Sequence, residues 1–211
     1  MSALIGPVPD TWHRLLLGDA CQVQAGPSGA TFRPADRASH GVRMVTPKSI
    51  QDDRIVADGC VTIRPEAADR MKRYALREGD IVCTRVGNGR RHALAGPEHT
   101  GWLLGGACLF LRPHAAVLPR YLNHYLRQPM VQDWLAQRVT GAVVPTVTAG
   151  TLGDLPLALP PWETQHAIAD LLDALDEKIS AHHAIIRSTE ELGRVLAPAL
   201  LTGAVLPPDS L

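Results

Sequence analysis

Apolar residues recur at helical spacing most persistently near the C-terminal end of this chain. Ile168, Leu171, Leu172, Leu175, Ile179, Ile185, Ile186, Leu192 and Leu196 fall largely three or four apart, which puts them along one side of a helix. No proline interrupts the chain between Pro161 and Pro198. Pro160-Pro161 suits the approach to a first turn, and Glu163 sets a carboxylate at the positive end of the helix dipole. The spacing predicts a helix from about Trp162 to Ala197, ended by Pro198, which has no N–H to continue the ladder. At 1.5 Å per residue it would be roughly 50 Å long. Read as heptads, one seam position falls on Ile168, Leu175, His182, Thr189 and Leu196, and another on Leu171, Lys178, Ile185 and Leu192. Polar residues therefore interrupt the seam in its middle. Such a stripe implies a partner helix; the alternative is a helix packed on its own domain.

Elsewhere the pattern runs short. Leu15 to Asp19 and then Cys21 to Ala25 read as a short strand entering a Gly-Pro-Ser-Gly turn at Gly26 to Gly29. Val42-Arg43-Met44-Val45 alternates as a strand does and stops at Thr46-Pro47, after which Lys48-Ser49-Ile50 leads into a polar stretch. A Gly79-Asp80 turn opens the strand Ile81 to Val86, apolar and β-branched enough to be central. Asn88-Gly89 follows, the dipeptide a tight hairpin favours because both central residues take positive φ. After Gly105-Gly106, the run Ala107 to Leu111 predicts a strand buried on both faces. Leu122, Tyr125, Leu126, Trp134 and Leu135 sit at helical spacing in 119–126 and 130–139 and predict helices on the sheet.

With 211 residues, 45% of them apolar, the chain has material for one ordinary domain plus an appendage. No run approaches about eighteen apolar residues and no basic segment opens the chain, which favours a cytoplasmic protein over a membrane-spanning or secreted one. Cys21, Cys60, Cys83 and Cys108 are far apart and are expected as buried thiols.

Charge changes the picture more. The formal net charge is +0, yet residues 1–150 hold 18 Lys+Arg against 12 Asp+Glu, a net of +6, and residues 151–211 hold 3 against 9, a net of −6. The globular part is basic and the helix acidic. Only Lys48, Lys72 and Lys178 are lysines, so the positive charge is nearly all arginine, which forks onto phosphate or guanine. The hairpin tip collects Arg85, Asn88, Arg90, Arg91 and His92, a set able to hold phosphates and read base edges. Residues 64–77 carry Arg64, Arg70, Lys72, Arg73 and Arg77, which a solvated helix face explains as well as a phosphate track. Thr146 and Thr148, in the loop 141–150, offer hydroxyls to phosphate, as they would in any loop.

Catalytic patterns are missing. The sequence has no Gly-x-Ser-x-Gly elbow, no His-Glu-x-x-His, no zinc-type cysteine pair and no Asn- or Asp-Pro-Pro-Tyr/Phe loop. Asp176-Glu177-Lys178 matches a short nuclease element but lies on the apolar-striped helix, where such residues serve solubility and pairing. Neither catalytic nor metal-binding residues are expected.

Residues 155–179, Leu-Pro-Leu-Ala-Leu-Pro-Pro-Trp-Glu-Thr-Gln-His-Ala-Ile-Ala-Asp-Leu-Leu-Asp-Ala-Leu-Asp-Glu-Lys-Ile, resemble the junction between target-recognition domain and spacer helix in specificity subunits of type I restriction-modification systems. The family pattern keeps an apolar strand, Pro-Pro, an acidic residue, a Gln, an Ile-Ala pair and an Asp. Here these are Pro160, Pro161, Glu163, Gln165, Ile168, Ala169 and Asp176, with Leu172 and Ile179 also kept and Thr164 displacing the usual Glu-Gln adjacency. The resemblance covers about residues 12–197. It implies an α+β fold: a mixed-sheet, DNA-reading domain over 1–160, a spacer and dimerisation helix over 161–198 paired in an antiparallel coiled coil, and a flexible tail over 199–211. A full-length member has two domains and two spacer helices, so this chain resembles half of one.

The resemblance further implies a non-catalytic subunit that directs a DNA methyltransferase, and sometimes a restriction subunit, to a bipartite site on double-stranded DNA. It needs no cofactor of its own, S-adenosylmethionine being expected in the methyltransferase. The expected DNA contacts are Arg43, Lys48, Lys72, Arg73, Arg85, Asn88, Arg90, Arg91, His92, Thr146 and Thr148. The expected helix contacts of a homodimer are Ile168, Leu172, Leu175, Ile179 and Ile186. The competing reading is a protein-assembly module that works through the acidic helix and does not bind DNA.

Overall fold

The structure is a computed structural model and describes residues 4–86, 91–139 and 145–205. Internal contacts divide the chain into two units, Met1–Ala167 and Ile168–Leu211.

The first unit is built on two sheets. One has the order β2 (Cys21–Ala25), β10 (Cys108–Pro113), β7 (Ile81–Thr84), β8 (His92–Leu94), with every neighbouring pair antiparallel. The apolar run at 107–111 becomes β10 and lies inside this sheet, where Cys108, Leu109, Phe110 and Leu111 are all fully buried. The second sheet has the order β6 (Val61–Ile63), β3 (Arg37–Val45), β9 (Leu103–Leu104). It is mixed, since β3 is antiparallel to β6 and parallel to β9. A short hairpin joins β4 (Ile50–Gln51) and β5 (Arg54–Ile55), and β1 (His13–Leu16) pairs antiparallel with β11 (Pro156–Leu159).

The helices of this unit are short: α1 (Leu17–Ala20), α2 (Pro65–Arg70), α3 (Pro119–Leu126), α4 (Pro129–Ala136) and α5 (Ala149–Gly153). Proline supplies the first residue of α2, α3 and α4, where its missing N–H has no intrahelical acceptor to lose. One core joins the second sheet to α2 and the face of the first sheet, through Met44, Ile63, Met71, Leu76, Val82, Leu103, Leu104 and Phe110. Each such side chain contributes about 1.5 to 3 kcal/mol by leaving water. The two sheets meet closely at Gly26, where a Cβ would lie 2.0 Å from the Gly105 carbonyl oxygen. Only glycine permits that approach.

Burial governs the thiols. Cys21, Cys83 and Cys108 are buried and Cys60 partly so, all of them free. Desolvation pushes the Cys21 and Cys108 thiols up to about 12, and raises Cys83 as well. These thiols stay protonated and unreactive.

The long helix, α6, runs Trp162–Leu201, about 60 Å at 1.5 Å per residue. It passes through Pro198 and ends at Leu201, four residues beyond the expected end at Ala197. The proline removes only the N–H that would have met the Arg194 carbonyl. Its own carbonyl still accepts from Thr202 N at 3.0 Å and from Thr202 Oγ1 at 2.7 Å. The helix stops at Gly203, whose φ of +71° is the left-handed conformation of a helix C-cap. The tail beyond Val205 lies outside the described residues. Within the second unit, Leu171, Leu175, Ile179, Ile185, Ile186 and Leu192 are all exposed, while Ile168 and Leu172 are half-buried. No helix among the described residues is long and apolar enough to cross a membrane.

Candidate nucleic-acid interface

The β7–β8 hairpin expected from Asn88-Gly89 is present in its stem. Cys83 pairs with His92, and Thr84 N donates to the Arg91 carbonyl at 2.8 Å. Gly87, Asn88, Gly89 and Arg90 lie outside the described residues.

Past Thr84 the strand keeps an extended backbone by pairing on both sides. Arg85 N donates to the Ala107 carbonyl at 2.9 Å, and the Arg85 carbonyl accepts from Val147 N at 2.9 Å. Val86 forms an antiparallel bridge with Thr146. The loop 141–150, a separate candidate in the sequence, is thereby laid beside the base of the hairpin tip, although its residues 141–144 lie outside the described ones. On the other side, the exposed Arg91 reaches back so that Nη1 donates to the Ile50 carbonyl at 3.3 Å. That bond ties the hairpin to β4 and to the turn holding Lys48.

The Lys48 turn is fixed by its own polar residues. Thr46 Oγ1 accepts from Lys48 N at 3.2 Å and donates to the Gly59 carbonyl at 2.8 Å. Ser49 Oγ accepts from Thr46 N at 2.9 Å. This is the reciprocal cap of a helix start, and it leaves Lys48 exposed. Arg85, Arg91, Thr146 and Lys48 are therefore carried by segments that hydrogen bonds link to one another. Arg85 is half-buried, and its Nε has no hydrogen-bond partner among the described residues.

Two expected contacts depart from this arrangement. His92 is only 4% exposed, its Nε2 3.2 Å from the Asn123 carbonyl. Strand alternation turns it inward, toward α3, so it is not displayed on the tip. Thr148 is the N-cap of α5, where Oγ1 accepts from Thr151 N at 3.0 Å. Its hydroxyl serves the helix start.

The remaining cations lie elsewhere on the first unit. Lys72 pairs with Asp69 at 3.0 Å. Arg73 lies over the Tyr74 ring, 4.6 Å from its centroid, and donates to the Tyr74 hydroxyl. Its carbonyl accepts from Gln24 of β2 at 3.3 Å. Because β2 is the far edge of the sheet, about 10 Å of strand spacing separates it from β7, the nearer strand of the hairpin, and about 14 Å from β8. Arg43 is exposed on β3, its guanidinium 5.0 Å from the centre of the Trp102 ring.

Arg127 and Asp53 were not among the expected contacts, yet Arg127, at the end of α3, pairs at 3.3 Å with Asp53 in the turn of the β4–β5 hairpin that Arg91 joins. The turn there could have been read from Asp52-Asp53, both at positive φ, 46° and 58°, a conformation that Asp tolerates better than most residues. Among the described residues no three His, Cys, Asp or Glu side chains group as a metal site.

A family model, type I restriction modification DNA specificity domain, matches residues 9–191. The chain belongs to this family. Among curated proteins, it is 22% identical over 168 residues to the type I restriction enzyme EcoBI specificity subunit of Escherichia coli, an alignment covering 80% of this chain and 35% of that protein. It is 27% identical over 128 residues to the HindI specificity subunit of Haemophilus influenzae, covering 58% and 28%. The chain thus spans about a third of the length of the curated specificity subunits it matches.

Solved structures agree on the fold. One chain, from a study of assembly and conformational transition of the type I R-M system, superposes with a TM-score of 0.74 at 19% identity, over 94% of this chain and 47% of its own. The HsdS subunit from Thermoanaerobacter tengcongensis gives 0.63 at 18% identity, over 83% and 40%. The type I S subunit from M. genitalium gives 0.60 at 14% identity, over 96% and 49%. Specificity-domain architecture, with mixed sheets followed by a long helix, accounts for the order of elements seen here.

Proposed function

We propose that this chain is the DNA-reading specificity component of a type I restriction-modification system. Residues 1–160 read double-stranded DNA, and α6 is the spacer that joins two readers. In this reading it has no catalytic residue and no cofactor of its own. It works in the cytoplasm and directs a DNA methyltransferase, which carries the S-adenosylmethionine, and a restriction subunit to a bipartite site.

The observation that carries the reading is the linkage of the segments bearing Lys48, Arg85 and Arg91 with the hydroxyl-bearing segment of Thr146, through the hydrogen bonds and the Val86–Thr146 bridge described above. Arg85, Arg91, Thr146 and Lys48 form the principal DNA surface, with Arg43, Lys72 and Arg73 as outlying phosphate contacts; Asn88 and Arg90, outside the described residues, are further expected contacts. Phosphate contacts fix register, and arginine forks on guanine carry sequence information.

Two copies pair through α6. Its exposed apolar face costs about 1.5 to 3 kcal/mol for each Leu or Ile left in water, and a second copy supplies a helix of matching pattern. With the helices antiparallel, Ile168, Leu172, Leu175, Ile179 and Ile186 of each copy line the seam, and one reader sits at each end. The rival reading, an assembly module acting through the acidic helix, needs no DNA surface.

A gel shift on duplex genomic fragments, at about 50 and about 200 mM salt, separates the two. The DNA reading predicts binding that falls steeply with salt and is weakened by replacing Arg90 and Arg91 with Ala, by about 1 to 3 kcal/mol for a guanine contact. Unchanged affinity and salt dependence in that double variant would overturn it.

A further inference from the structure

The second sheet carries an irregularity that the DNA surface described above does not use. Within the β3–β6 pairing, Arg37 and Val42 are both opposite Ile63, so the four residues between them are extruded from the ladder. All four, Ala38 to Gly41, are exposed. Gly41 makes the bulge possible: its φ is +141°, and a Cβ there would lie 2.1 Å from the Ile63 carbonyl oxygen. Bulges of this kind re-aim side chains at the margins of sheets.

The extruded segment forms one wall of an open groove of about 500 Å³ lined by Ser39, His40, Arg43, Thr62, Thr100 and Trp102. Its lining holds no carboxylate. Arg43 lies over the Trp102 ring, and His99 Nδ1, bonded to Gly96 N at 3.0 Å, helps hold His99 edge-on to the same indole at 4.9 Å. A face of Trp102 is thus already covered by a guanidinium, which disfavours stacking a base there. Held over the indole, that guanidinium loses less freedom when it binds. Three hydroxyls, an imidazole and an arginine held over the indole, without a competing acid, suit a singly charged, tetrahedral anion.

We propose that this groove clamps one backbone phosphate of duplex DNA, with Arg43 as the charged contact and Trp102 as the residue that positions it. The inference rests on the DNA-reading function proposed above and deepens it, giving the outlying Arg43 contact a groove and a positioning residue. Arg43 and Lys48 are five residues apart on one strand and its following turn, at most about 17 Å of chain. That is about half a turn of the double helix, so one duplex can meet both.

The test needs no knowledge of the target, because phosphate contacts operate on any sequence. A mixed-sequence duplex is titrated with the full chain at several salt concentrations. Arg43→Ala should lower the slope of log affinity against log salt by about 1 and weaken binding severalfold at low salt, equally for all sequences. Trp102→Ala should reproduce the loss and Trp102→Phe should restore it, with thermal melts confirming that each variant is folded. Wild-type slope and affinity in Arg43→Ala would overturn the clamp while leaving the DNA-reading function in place. If Trp102→Ala is folded and binds as wild type, the positioning role is overturned. A wild-type chain that fails to bind the duplex would overturn the functional reading itself.

Discussion

Gln165 and Leu118, forty-seven residues apart, are joined by a hydrogen bond in which Leu118 N donates to Gln165 Oε1 at 2.8 Å. The same side chain donates through Nε2 to the carbonyls of Ala116 at 3.0 Å and Pro160 at 2.9 Å. Gln165 is 1% exposed. Its amide thus fastens the first turn of α6 to the segment leading into α3, which gives a physical reason for the Gln of the junction pattern. Replacing it with Ala strands the buried Leu118 N–H and should cost about 1 to 3 kcal/mol, read as a lowered urea midpoint. Gln165→Glu should cost more at neutral pH, since a carboxylate would face two carbonyls. An unchanged midpoint in both variants would contradict this role.

Asp80 is 1% exposed and takes both forks of Arg112, Nε at 2.8 Å and Nη2 at 2.7 Å, together with Arg77 N at 2.8 Å. Arg112 also reaches the Ala75 carbonyl at 3.1 Å and lies over Phe110. Asp80→Ala leaves a largely buried cation without its partner and is expected to destabilise by about 3 kcal/mol. The double variant Asp80→Ala, Arg112→Met should recover part of that loss. A double variant no more stable than Asp80→Ala would show that the pair contributes through packing alone.

The Asp36 carboxyl is held below its ordinary value of 3.8, first by the hydrogen bond from Arg33 N and then by Arg70 at 2.9 Å. A depressed carboxylate stabilises the fold above its unfolded value, and that contribution is lost as pH falls through the folded one. The stability gap between wild type and Asp36→Asn should therefore narrow between about pH 5 and about pH 2. A gap that stays constant over this range in chemical denaturation would remove Asp36 from the acid response.

Much of this was legible in local residue patterns. The strand at 81–84 and its return announced themselves through Asn88-Gly89, and 119–126 through Pro119 and its apolar spacing. The run at 107–111 read as doubly buried, and successive side chains of β10 from Cys108 to Leu111, which point to opposite faces, are all buried. Misreadings came where a long-range partner decides. His92 reads as a surface cation until α3 is placed beside it, and Thr148 as a loop hydroxyl until Thr151 N is seen to need an acceptor. The Arg43–Trp102 stack joins residues fifty-nine apart, and no spacing encodes it. Pro198 misled because it removes a donor and leaves the carbonyls downstream of it able to accept.

The apolar face of α6 gives a direct prediction about assembly. Leu175→Asp with Ile179→Asp should convert a dimer into a monomer by light scattering at micromolar concentration, and the folded first unit should keep its near-ultraviolet dichroism. Co-purification of the methyltransferase should fail in the same variant if that subunit docks on or near the helix. A wild-type monomer at that concentration would contradict pairing through α6.

The central claim, that this chain reads a DNA sequence, is tested most directly by selecting duplexes from a random library with the purified protein at physiological salt. Two identical readers related by a twofold axis should enrich an inverted repeat with an unread centre. The half-site centres should lie at most about 18 base pairs apart, the span of a helix of about 60 Å. Enrichment of a single non-palindromic motif would contradict the paired arrangement, and no enrichment over the starting library would contradict sequence reading altogether.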